Sequence, residues 1–340
     1  MTTFWTQLEE HSGARVEGEH CYFDSPSTET NPAHQTVIAP LSHYGFLRVK
    51  GPDASKFLQG QTTADFRLVT PQSAQRGAYC TPKGRMVTSF LAASLLEHDH
   101  LLRMRLNIVE SSKAALAKYA VFSKAELTDA STDIVAIGVA GPRAGELIAQ
   151  IVGESPSALL ASAVSGSAVA VQIDDAGERL ELWLPASEAF EHWQALAINA
   201  AAIGSGDWEA MNINDGIAEV CAATAEEFIP QMLNYDAIGA VNFKKGCYTG
   251  QEVVARLHYR GTAKRRLYRA SLQTGTVSEG DEVFAGAKPQ AVGIVASTSS
   301  RNTVLVVLAR DALNAEELRT ASGAILGNIL PPPYALKDEN

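Results

Sequence analysis

Residues 242 to 252 of the chain read Asn242-Phe243-Lys244-Lys245-Gly246-Cys247-Tyr248-Thr249-Gly250-Gln251-Glu252. This stretch sets one cysteine among lysines, directly before a helix start. Thr249 followed three residues later by Glu252 predicts a capping box, in which the hydroxyl accepts from the amide of Glu252 and the carboxylate accepts from the amide of Thr249. Gln251 and the residues after Glu252 then continue as a helix.

Cys247 is therefore the candidate reactive group of the chain. The dipole of the predicted helix, with Lys244 and Lys245 beside it, supplies the positive potential that favours a thiolate over a thiol. Gly246 and Gly250 leave the backbone free to turn around the sulfur. The alternative is that the cysteine packs as a small apolar side chain while the lysines are solvated.

The stretch from Lys245 to Glu252 carries a specific resemblance. It resembles the signature of the YgfZ-type folate-binding proteins, which are relatives of the glycine-cleavage T protein and assist iron–sulfur enzymes and tRNA modification. Further stretches fit the same family in order along the chain: Phe57-Leu58-Gln59-Gly60-Gln61-Thr62-Thr63-Ala64-Asp65, Pro82-Lys83-Gly84, Phe228-Ile229-Pro230-Gln231, and Arg256 through Arg260-Gly261 to Lys264-Arg265.

Composition narrows the class of protein. A chain of 340 residues with 46% hydrophobic and 19% charged residues is typical of a globular protein with a substantial core. The segment from Met1 to Glu10 lacks the basic and apolar regions of a secretory signal, and no apolar run is long enough to span a bilayer. We therefore expect a cytoplasmic protein without a membrane partner.

The cysteines exclude several kinds of metal site. They stand at positions 21, 80, 221 and 247 and form no CxxC pair, so a structural zinc site or a disulfide framework is not expected. The sequence predicts no permanently bound metal. If iron–sulfur chemistry is involved, the protein serves a cluster rather than holding one.

Positive charge is concentrated in one segment of this acidic protein. The net charge is −10, yet residues 244–269 contain eight basic residues and only one acidic residue, Glu252. The positive potential of this segment suits a carboxylate tail, a phosphate or an RNA backbone. The alternative is that the segment is a solvated face whose charges are balanced by acidic residues elsewhere in the fold. His258 and Tyr259 lie inside the segment and either stack, bind anions or pack. The candidate anion-binding residues are Arg256, Arg260, Lys264 and Arg265.

Hydrophobic patterns predict mixed secondary structure. A short helix is expected around Phe4 to Leu8, followed by a polar loop over 18–34. Two units of strand, Gly-Pro turn and helix, at 46–59 and 134–152, suggest a pseudo-repeat. Strands are predicted at 78–80, 86–95, 101–106, 168–173 and 180–184, and Asn107 and Ser187 are expected to start helices. This succession is typical of an α+β architecture with mixed sheets.

After Gly261 the sequence changes to short β-like runs at 267–272, 282–285, 291–297 and 303–308, with a helical turn expected over 312–318. These runs predict a small C-terminal β-barrel. The resemblance implies the same arrangement, a glycine-cleavage T-protein-like α+β fold. A split α+β domain and a ferredoxin-like domain would intertwine over residues 1–263, and the barrel with its tail would occupy residues 264–340.

The resemblance also implies a tetrahydrofolate pocket. Tyr44 and Trp208 stand where the family places pocket-lining aromatics, which would stack on the flat pterin. The family more often has tryptophan at the position of Tyr44, and its pterin-contacting glutamate is replaced, because the corresponding stretch reads Ile213-Asn214-Asp215-Gly216. The alternative is that Tyr44 and Trp208 are core aromatics.

One family residue needed for aminomethyl transfer is missing. The T protein, an aminomethyltransferase, relies on an aspartate after its equivalent of Lys83-Gly84, whereas this chain continues Arg85-Met86-Val87-Thr88-Ser89-Phe90. Without a carboxylate this stretch cannot manage the proton of a folate nitrogen. Transfer of an aminomethyl group is therefore disfavoured.

The resemblance implies a folate-binding accessory protein that supports maturation or repair of iron–sulfur enzymes and tRNA modification, including thiolation, and the residues described above fit that expectation. Cys247 would be the reactive group, Lys244 and Lys245 would tune it, and Tyr248 and Gln251 would shape the site. The thiol suits a persulfide carrier, a transient cluster ligand or a redox sensor. The alternatives are a folate-dependent one-carbon transferase and a folate-independent RNA-binding module. Expected partners are folate, iron–sulfur enzymes, and tRNA or the enzymes that modify it.

Overall fold

The structure is a computed structural model that describes residues 3–23, 32–286 and 289–336. The chain divides into two compact units, and both are discontinuous in sequence. Unit 1 comprises Met1–Gln59, Asp65–Gln75 and Phe90–Trp208, and unit 2 comprises Gly60–Ala64, Arg76–Ser89 and Glu209–Asn340. Unit 2 contains the predicted barrel together with residues 209–263, and the domain boundary predicted at 263/264 stays a prediction.

The helices of the described residues are α1 (Thr3–Ser12), α2 (Ala54–Gln61), α3 (Val109–Ala120), α4 (Ala144–Val152), α5 (Ala189–Ala197), α6 (Ser205–Asn214) and α7 (Gln251–Arg260). Short 3₁₀ turns lie at Leu106–Ile108, Ala222–Thr224, Pro230–Leu233 and Arg310–Ala312. Within the same ranges, no helix is both long enough and apolar enough to cross a bilayer.

The first thirteen strands are β1 (Ala14–Glu17), β2 (His20–Phe23), β3 (Val37–Pro40), β4 (Tyr44–Lys50), β5 (Gln75–Cys80), β6 (Met86–Leu96), β7 (Asp99–Arg105), β8 (Glu126–Asp129), β9 (Ile134–Ala140), β10 (Ser162–Ser165), β11 (Ala168–Gln172), β12 (Arg179–Pro185) and β13 (Ala201–Ala202). The last six are β14 (Arg265–Thr274), β15 (Glu282–Ala285), β16 (Ala291–Thr298), β17 (Thr303–Ala309), β18 (Leu318–Thr320) and β19 (Ile325–Leu330).

Unit 1 contains the two-stranded sheet β1-β2, a six-stranded sheet, and strands β7, β4 and β8 of a five-stranded sheet together with the part of β6 that follows Ser89. The six-stranded sheet has the order β10-β11-β12-β9-β3-β13, and the five-stranded sheet has the order β5-β6-β7-β4-β8. Alternate residues of β9 and β12 face helices α1, α4 and α5, since side chains along a strand point to opposite faces. Leu147 and Ile148 of α4 and Trp193 of α5 pack in this core with Ile137 and Leu182 of the sheet.

The two predicted units of strand, Gly-Pro turn and helix are confirmed. The amide of Ala54 donates to the carbonyl of Gly51 over 2.9 Å, and that of Ala144 to Gly141 over 3.0 Å. Gly51 has φ 133° and Gly141 has φ 113°, a region that L-residues with a Cβ rarely adopt. The same turn chemistry therefore starts α2 and α4.

Unit 2 contains a closed barrel with the order β14-β17-β16-β15-β18-β19, which confirms the predicted C-terminal barrel. Val304, Val306 and Leu308 alternate along β17 into its core with Val283 and Val295. The helical turn expected over 312–318 is wrong, because the turn ends at Ala312 and Leu318 already begins β18.

Three further local predictions differ from the structure. The loop expected over 18–34 contains strand β2, which pairs with β1, while residues 24–31 lie outside the described residues. Asn107 does not cap α3: its side chain donates to Glu19 over 3.2 Å, and α3 begins at Val109. Helix α5 begins two residues after Ser187, with Glu188 at its N-cap.

Candidate functional site

The thiol loop, residues 242–250, leads directly into α7. The N-cap of α7 is Gly250, with φ 85° and no side-chain capping bond. A Cβ at this position would lie 2.5 Å from the carbonyl oxygen of Thr81, so only glycine fits between the loop and the turn at Thr81. The hydroxyl of Thr249 instead donates to the side-chain oxygen of Gln61 over 3.2 Å. The predicted capping box of Thr249 and Glu252 is therefore wrong.

Lys245 is buried and anchors the thiol loop. Its ammonium donates hydrogen bonds of 2.6 Å to the carbonyl oxygens of Thr62 and Ala64, and it lies 5.2 Å from the ring centroid of Tyr248. These contacts give Lys245 a structural role that the sequence did not predict. Lys244, the next residue back, is exposed. Whether either lysine tunes the thiol stays a prediction.

Cys247 differs from the other three cysteines. All four are described and free, and only Cys247 is exposed. Burial raises the pKa of Cys21 to about 12, with a further contribution from Glu9, and burial raises the pKa of Cys80 to about 12. Cys21 and Cys80 are therefore held as thiols. Cys247 is the cysteine that external reagents and substrates can reach.

Tyr248 follows the thiol and points inward. Burial raises its pKa above the ordinary tyrosine range, with a contribution from Cys80. The hydroxyl of Tyr248 has no hydrogen-bond partner among the described residues. Gly246 stands on the other side of the thiol, and a Cβ there would meet no atom within 4 Å. The cysteine thus lies between an inward aromatic ring and an open backbone position.

The motif at Phe228 to Gln231 holds the body of α7. Pro230 starts a 3₁₀ turn, and the side-chain amide of Gln231 donates to the carbonyl of Val254 over 2.7 Å. Arg266 makes a buried bidentate ion pair with Asp236 and also donates to the carbonyl of Gln231. A buried pair is stable only with such additional hydrogen bonds. The motif at Phe228 to Gln231 and the helix that follows the thiol loop, both identified in the sequence, are therefore in direct contact.

The turn between β5 and β6 also packs on α7. Gly84 has φ 74°, and a Cβ there would lie 3.0 Å from the side chain of Val253. Lys83 and Arg85 flank this glycine and are exposed, and Arg85 donates to the carbonyl of Glu227. No carboxylate belongs to the turn itself.

The basic segment does not form a single face. Arg266 is buried against Asp236, Arg265 donates to the carbonyl of Ala291 over 3.1 Å, and Arg269 donates to two carbonyls. The cations left exposed are Lys244, Arg256, Arg260 and Lys264. The predicted role of Arg265 at an anion stays a prediction, and the exposed charge is concentrated on and beside α7.

Tyr44 and Trp208, the predicted pocket aromatics, are both buried in unit 1. The guanidinium carbon of Arg103 lies 3.8 Å from the ring centroid of Tyr44. Arg103 and Trp183 both donate to Oε2 of Glu181, over 3.1 and 2.9 Å. The ring of Tyr44 is thus covered by a cation, which a buried carboxylate holds in place.

Trp208 has a similar arrangement. The guanidinium carbon of Arg179 lies 4.6 Å from its ring centroid, and a Cβ at Gly138 would meet the ring at 2.6 Å. Its indole nitrogen is fully buried and has no hydrogen-bond partner among the described residues. An indole N–H buried in this way is unusual, because burial without an acceptor costs about 1–3 kcal/mol.

Tyr44 and Trp208, together with the residues around them, form what we call the unit 1 cluster. Five members of this cluster were not predicted from the sequence: Arg103, Arg105, Arg179, Glu181 and His43. A signal was present, because Arg103 and Arg105 stand at alternate positions of an apolar strand, and so do Arg179 and Glu181. Alternate residues share one face of a strand. Burial, Arg105 and Arg103 lower the pKa of His43 well below its usual value, so its ring is neutral at pH 7.

Among the described residues, no group of three or more His, Cys, Asp or Glu side chains is placed to hold a metal ion. The thiol loop and the unit 1 cluster offer different chemistry. The thiol loop presents a sulfur nucleophile and cations. The unit 1 cluster presents aromatic rings, guanidinium groups and one carboxylate.

Comparison with known proteins agrees with this description. Residues 19–212 match the model of the GCVT N-terminal domain. The tRNA-modifying protein YgfZ of Klebsiella pneumoniae (strain 342) is 32% identical over 309 residues, which cover 89% of this chain and 94% of the relative. The glycine cleavage system aminomethyltransferase T of Bartonella henselae superposes with a TM-score of 0.75 at 16% identity, covering 97% of this chain and 96% of that protein.

The last similarity concerns the fold alone, because its sequence identity is low. It confirms the predicted glycine-cleavage T-protein-like α+β fold with a C-terminal barrel. The YgfZ relative confirms the resemblance that rests on residues 245–252.

Proposed function

The chain belongs to the family of the GCVT N-terminal domain and, within it, to the YgfZ-type proteins, and on that premise we propose that it is a folate-binding accessory protein of tRNA modification that acts through Cys247. The proposal extends to support of the iron–sulfur enzymes that thiolate tRNA, and it includes the cytoplasmic location expected from the sequence.

The exposed thiol of Cys247 carries the proposal. The surrounding loop is fixed by buried contacts on both sides, through Lys245 before the sulfur and Gly250 after it. A side chain held by rigid neighbours keeps its position for a reaction at little entropic cost. The other three cysteines are buried, so sulfur chemistry with a partner falls to this residue.

The chemistry of the unit 1 cluster fits a folate. Tyr44 and Trp208 offer rings for a pterin, Glu181 offers an acceptor for its N–H groups, and Arg103 and Arg179 offer donors. The buried indole N–H of Trp208 needs an acceptor, which a pterin provides. The guanidinium groups of Arg103 and Arg179 lie over the rings of Tyr44 and Trp208. A pterin could therefore stack on these rings only if the guanidinium groups moved. Folate itself supplies one-carbon chemistry when bound.

Work on tRNA is supported by the name of the YgfZ relative, a tRNA-modifying protein, and by the resemblance of residues 245–252 to the YgfZ-type signature. Three roles of the thiol fit this setting: carrying a persulfide, ligating a cluster in transit, and sensing redox state. Each role needs a thiol that a client enzyme can approach, and Cys247 meets that condition.

A one-carbon transferase is not proposed. The fold resembles that of an aminomethyltransferase, but the turn Thr81 to Arg85 has no carboxylate for proton transfer. Turnover with a methylene-folate donor would show that another group replaces it.

The folate part of the proposal is tested by titrating tetrahydrofolate against intrinsic tryptophan fluorescence. Wild type is expected to show saturable quenching, and Trp208→Phe is expected to lose more of that signal than Trp5→Phe, with Trp183 beside Glu181 supplying part of what remains. Trp5→Phe is the matched control, because Trp5 lies on α1 and packs against the core that contains Leu147 and Trp193, of which Trp208 is not a member. Cys247→Ala should bind like wild type, since the thiol is not among the residues proposed to contact the folate.

Two results would overturn the folate assignment. One is no saturable response in wild type with folded, soluble protein. The other is equal loss in Trp5→Phe and Trp208→Phe, which would show that quenching does not report on the cluster.

A further inference from the structure

The solvent face of α7 gathers side chains that the thiol mechanism does not use. At 100° per residue, positions 252, 253, 256, 259 and 260 fall within an arc of about 120°. All five are exposed, whereas Val254 is fully buried. The helix therefore presents one continuous face, acidic only at Glu252 and cationic over its last two turns.

Two exposed cations of this face, Arg256 and Arg260, and two beside it, Lys244 and Lys264, have no carboxylate partner among the described residues. Lys244 lies in the thiol loop, and Lys264 follows α7 by four residues. In a protein of net charge −10, such a cluster is a local positive field that attracts anions at close range.

Aromatic rings are built into the same surface. Phe243 of the thiol loop stacks on His258 with centroids 3.6 Å apart and ring planes 12° apart. Tyr259 stands edge-on to both rings, at 6.2 Å from Phe243 and 4.9 Å from His258. Tyr259 is 66% exposed, although large aromatic residues are usually more buried. Its hydroxyl donates to the carbonyl oxygen of Phe243 over 3.5 Å, a further contact with the thiol loop.

We propose that this α7 surface, consisting of Phe243, Lys244, Arg256, His258, Tyr259, Arg260 and Lys264, binds an unpaired stretch of tRNA directly. Arg256 and Arg260 would contact phosphates, and Tyr259 would stack on a base. This inference rests on the proposed function in tRNA modification and names the partner that the thiol meets. Cys247 lies in the loop between Phe243 and Gly250, so RNA on this surface would pass beside the sulfur.

Aromatic rings interleaved with cations favour RNA over an acidic protein. An acidic peptide is satisfied by the cations alone, whereas single-stranded nucleic acid uses both: phosphates pair with arginine and bases stack on exposed rings. Unpaired tRNA nucleotides have free faces for such stacking. The acidic character of the rest of the chain would confine the RNA to this surface.

The test measures binding of an unmodified tRNA transcript to the full-length protein by fluorescence anisotropy, without folate and at several salt concentrations. Wild type should bind with an affinity that falls steeply with salt. Arg256→Ala combined with Arg260→Ala should weaken binding about tenfold and reduce the slope of log K against log salt by about 1 to 2. Lys118→Ala with Lys124→Ala, two exposed cations of unit 1, is the matched control and should bind like wild type.

Stacking is tested separately from charge. Tyr259→Ala should weaken binding about tenfold, and Tyr259→Phe should keep most of the affinity, because it retains the ring. Tyr119→Ala, at a tyrosine of α3 that is 49% exposed, is the control and should change nothing. A matching loss in Tyr259→Phe would assign the effect to the hydroxyl and overturn the stacking role.

Other outcomes overturn the inference and leave the proposed function standing. One is the absence of tRNA binding by wild type while Cys247-dependent tRNA modification persists in cells, which would mean that the protein acts through partner enzymes. Equal affinity of the surface variants and wild type would place the RNA elsewhere. Binding of polyglutamate as tight as that of tRNA, with the same losses in the variants, would assign the surface to an acidic protein.

Discussion

The ammonium of Lys245 donates a hydrogen bond of 2.6 Å to the carbonyl oxygen of Thr62. These residues lie 183 positions apart and belong to two stretches that both resemble the YgfZ-type family. A second bond of 2.6 Å to Ala64 completes the arrangement. The lysine of the signature therefore joins the thiol loop to the segment that follows α2, and the fixed position of the thiol depends on it.

Replacement of Lys245 by Met should lower the free energy of unfolding by about 3 kcal/mol, because the buried carbonyls of Thr62 and Ala64 lose a charged donor. Urea unfolding followed by circular dichroism measures the change. Lys244→Met is the matched control, since its side chain is exposed, and it should stay within about 0.5 kcal/mol of wild type. Equal midpoints for the two variants would contradict the structural role of Lys245.

Gly250→Ala should destabilise the protein by about 3 kcal/mol, since it forces a Cβ into a left-handed backbone and against the carbonyl of Thr81. Thermal unfolding reports the loss as a lower Tm. Gly246→Ala is the control within the same loop, because a Cβ there meets no atom within 4 Å, and its Tm should be nearly unchanged. Similar Tm values for both alanine variants would show that Gly250 is not the close-packed cap of α7.

The start of α7 was predictable from the sequence, but its cap at Gly250 was not. The sequence places a helix directly after the thiol, and α7 begins there, but the cap is set by the turn at Thr81, far away in sequence. The Gly-Pro turns at 51 and 141 were predictable, because strand, turn and helix are neighbours in the chain. The pairing of Arg103 with Glu181 links two sheets, β18 has only three residues, and Gly327 and Asn328 interrupt the apolar pattern of β19. Contacts of that kind cannot be obtained from local periodicity.

Cys247 should be the only cysteine of the native protein that reacts rapidly with iodoacetamide. The other three are buried, and burial holds Cys21 and Cys80 in the unreactive thiol form. Peptide mass spectrometry after a short reaction should find the label at position 247, and Cys247→Ser should take up none. In urea all four sites should be labelled. Rapid native labelling at Cys80 or Cys221 would contradict the assignment of a single accessible thiol.

The folded protein should become less stable as the pH decreases from 7 to 5, because His100 takes up a proton in the unfolded chain but not in the folded one. Both ring nitrogens contact serine hydroxyls, Ser55 at 2.7 Å and Ser94 at 2.9 Å, and burial together with His98 lowers the pKa of His100 from 6.5 to about 4. Between pH 6.5 and pH 4 the unfolded state binds a proton that the folded state excludes, so the free energy of unfolding decreases as pH falls. The expected loss from pH 7 to pH 5 is about 2 kcal/mol for this residue.

Urea unfolding at pH 7, 6 and 5 measures this dependence. His100→Asn should show a shallower slope, and the part that remains belongs to His43, whose pKa is also lowered. His11→Asn, at an exposed histidine of α1, should keep the slope of wild type. If the slope of His100→Asn equals that of wild type, the native ring takes up protons as readily as the unfolded one.

The role of Cys247 is tested most directly by the thiolated nucleosides of tRNA, quantified by mass spectrometry in cells that lack this gene and carry either wild type or Cys247→Ala. Cys221→Ala, at a buried cysteine, is the control, and immunoblotting sets equal soluble levels. The account predicts that wild type and Cys221→Ala restore thiolation while Cys247→Ala does not. Full restoration by folded Cys247→Ala would contradict it.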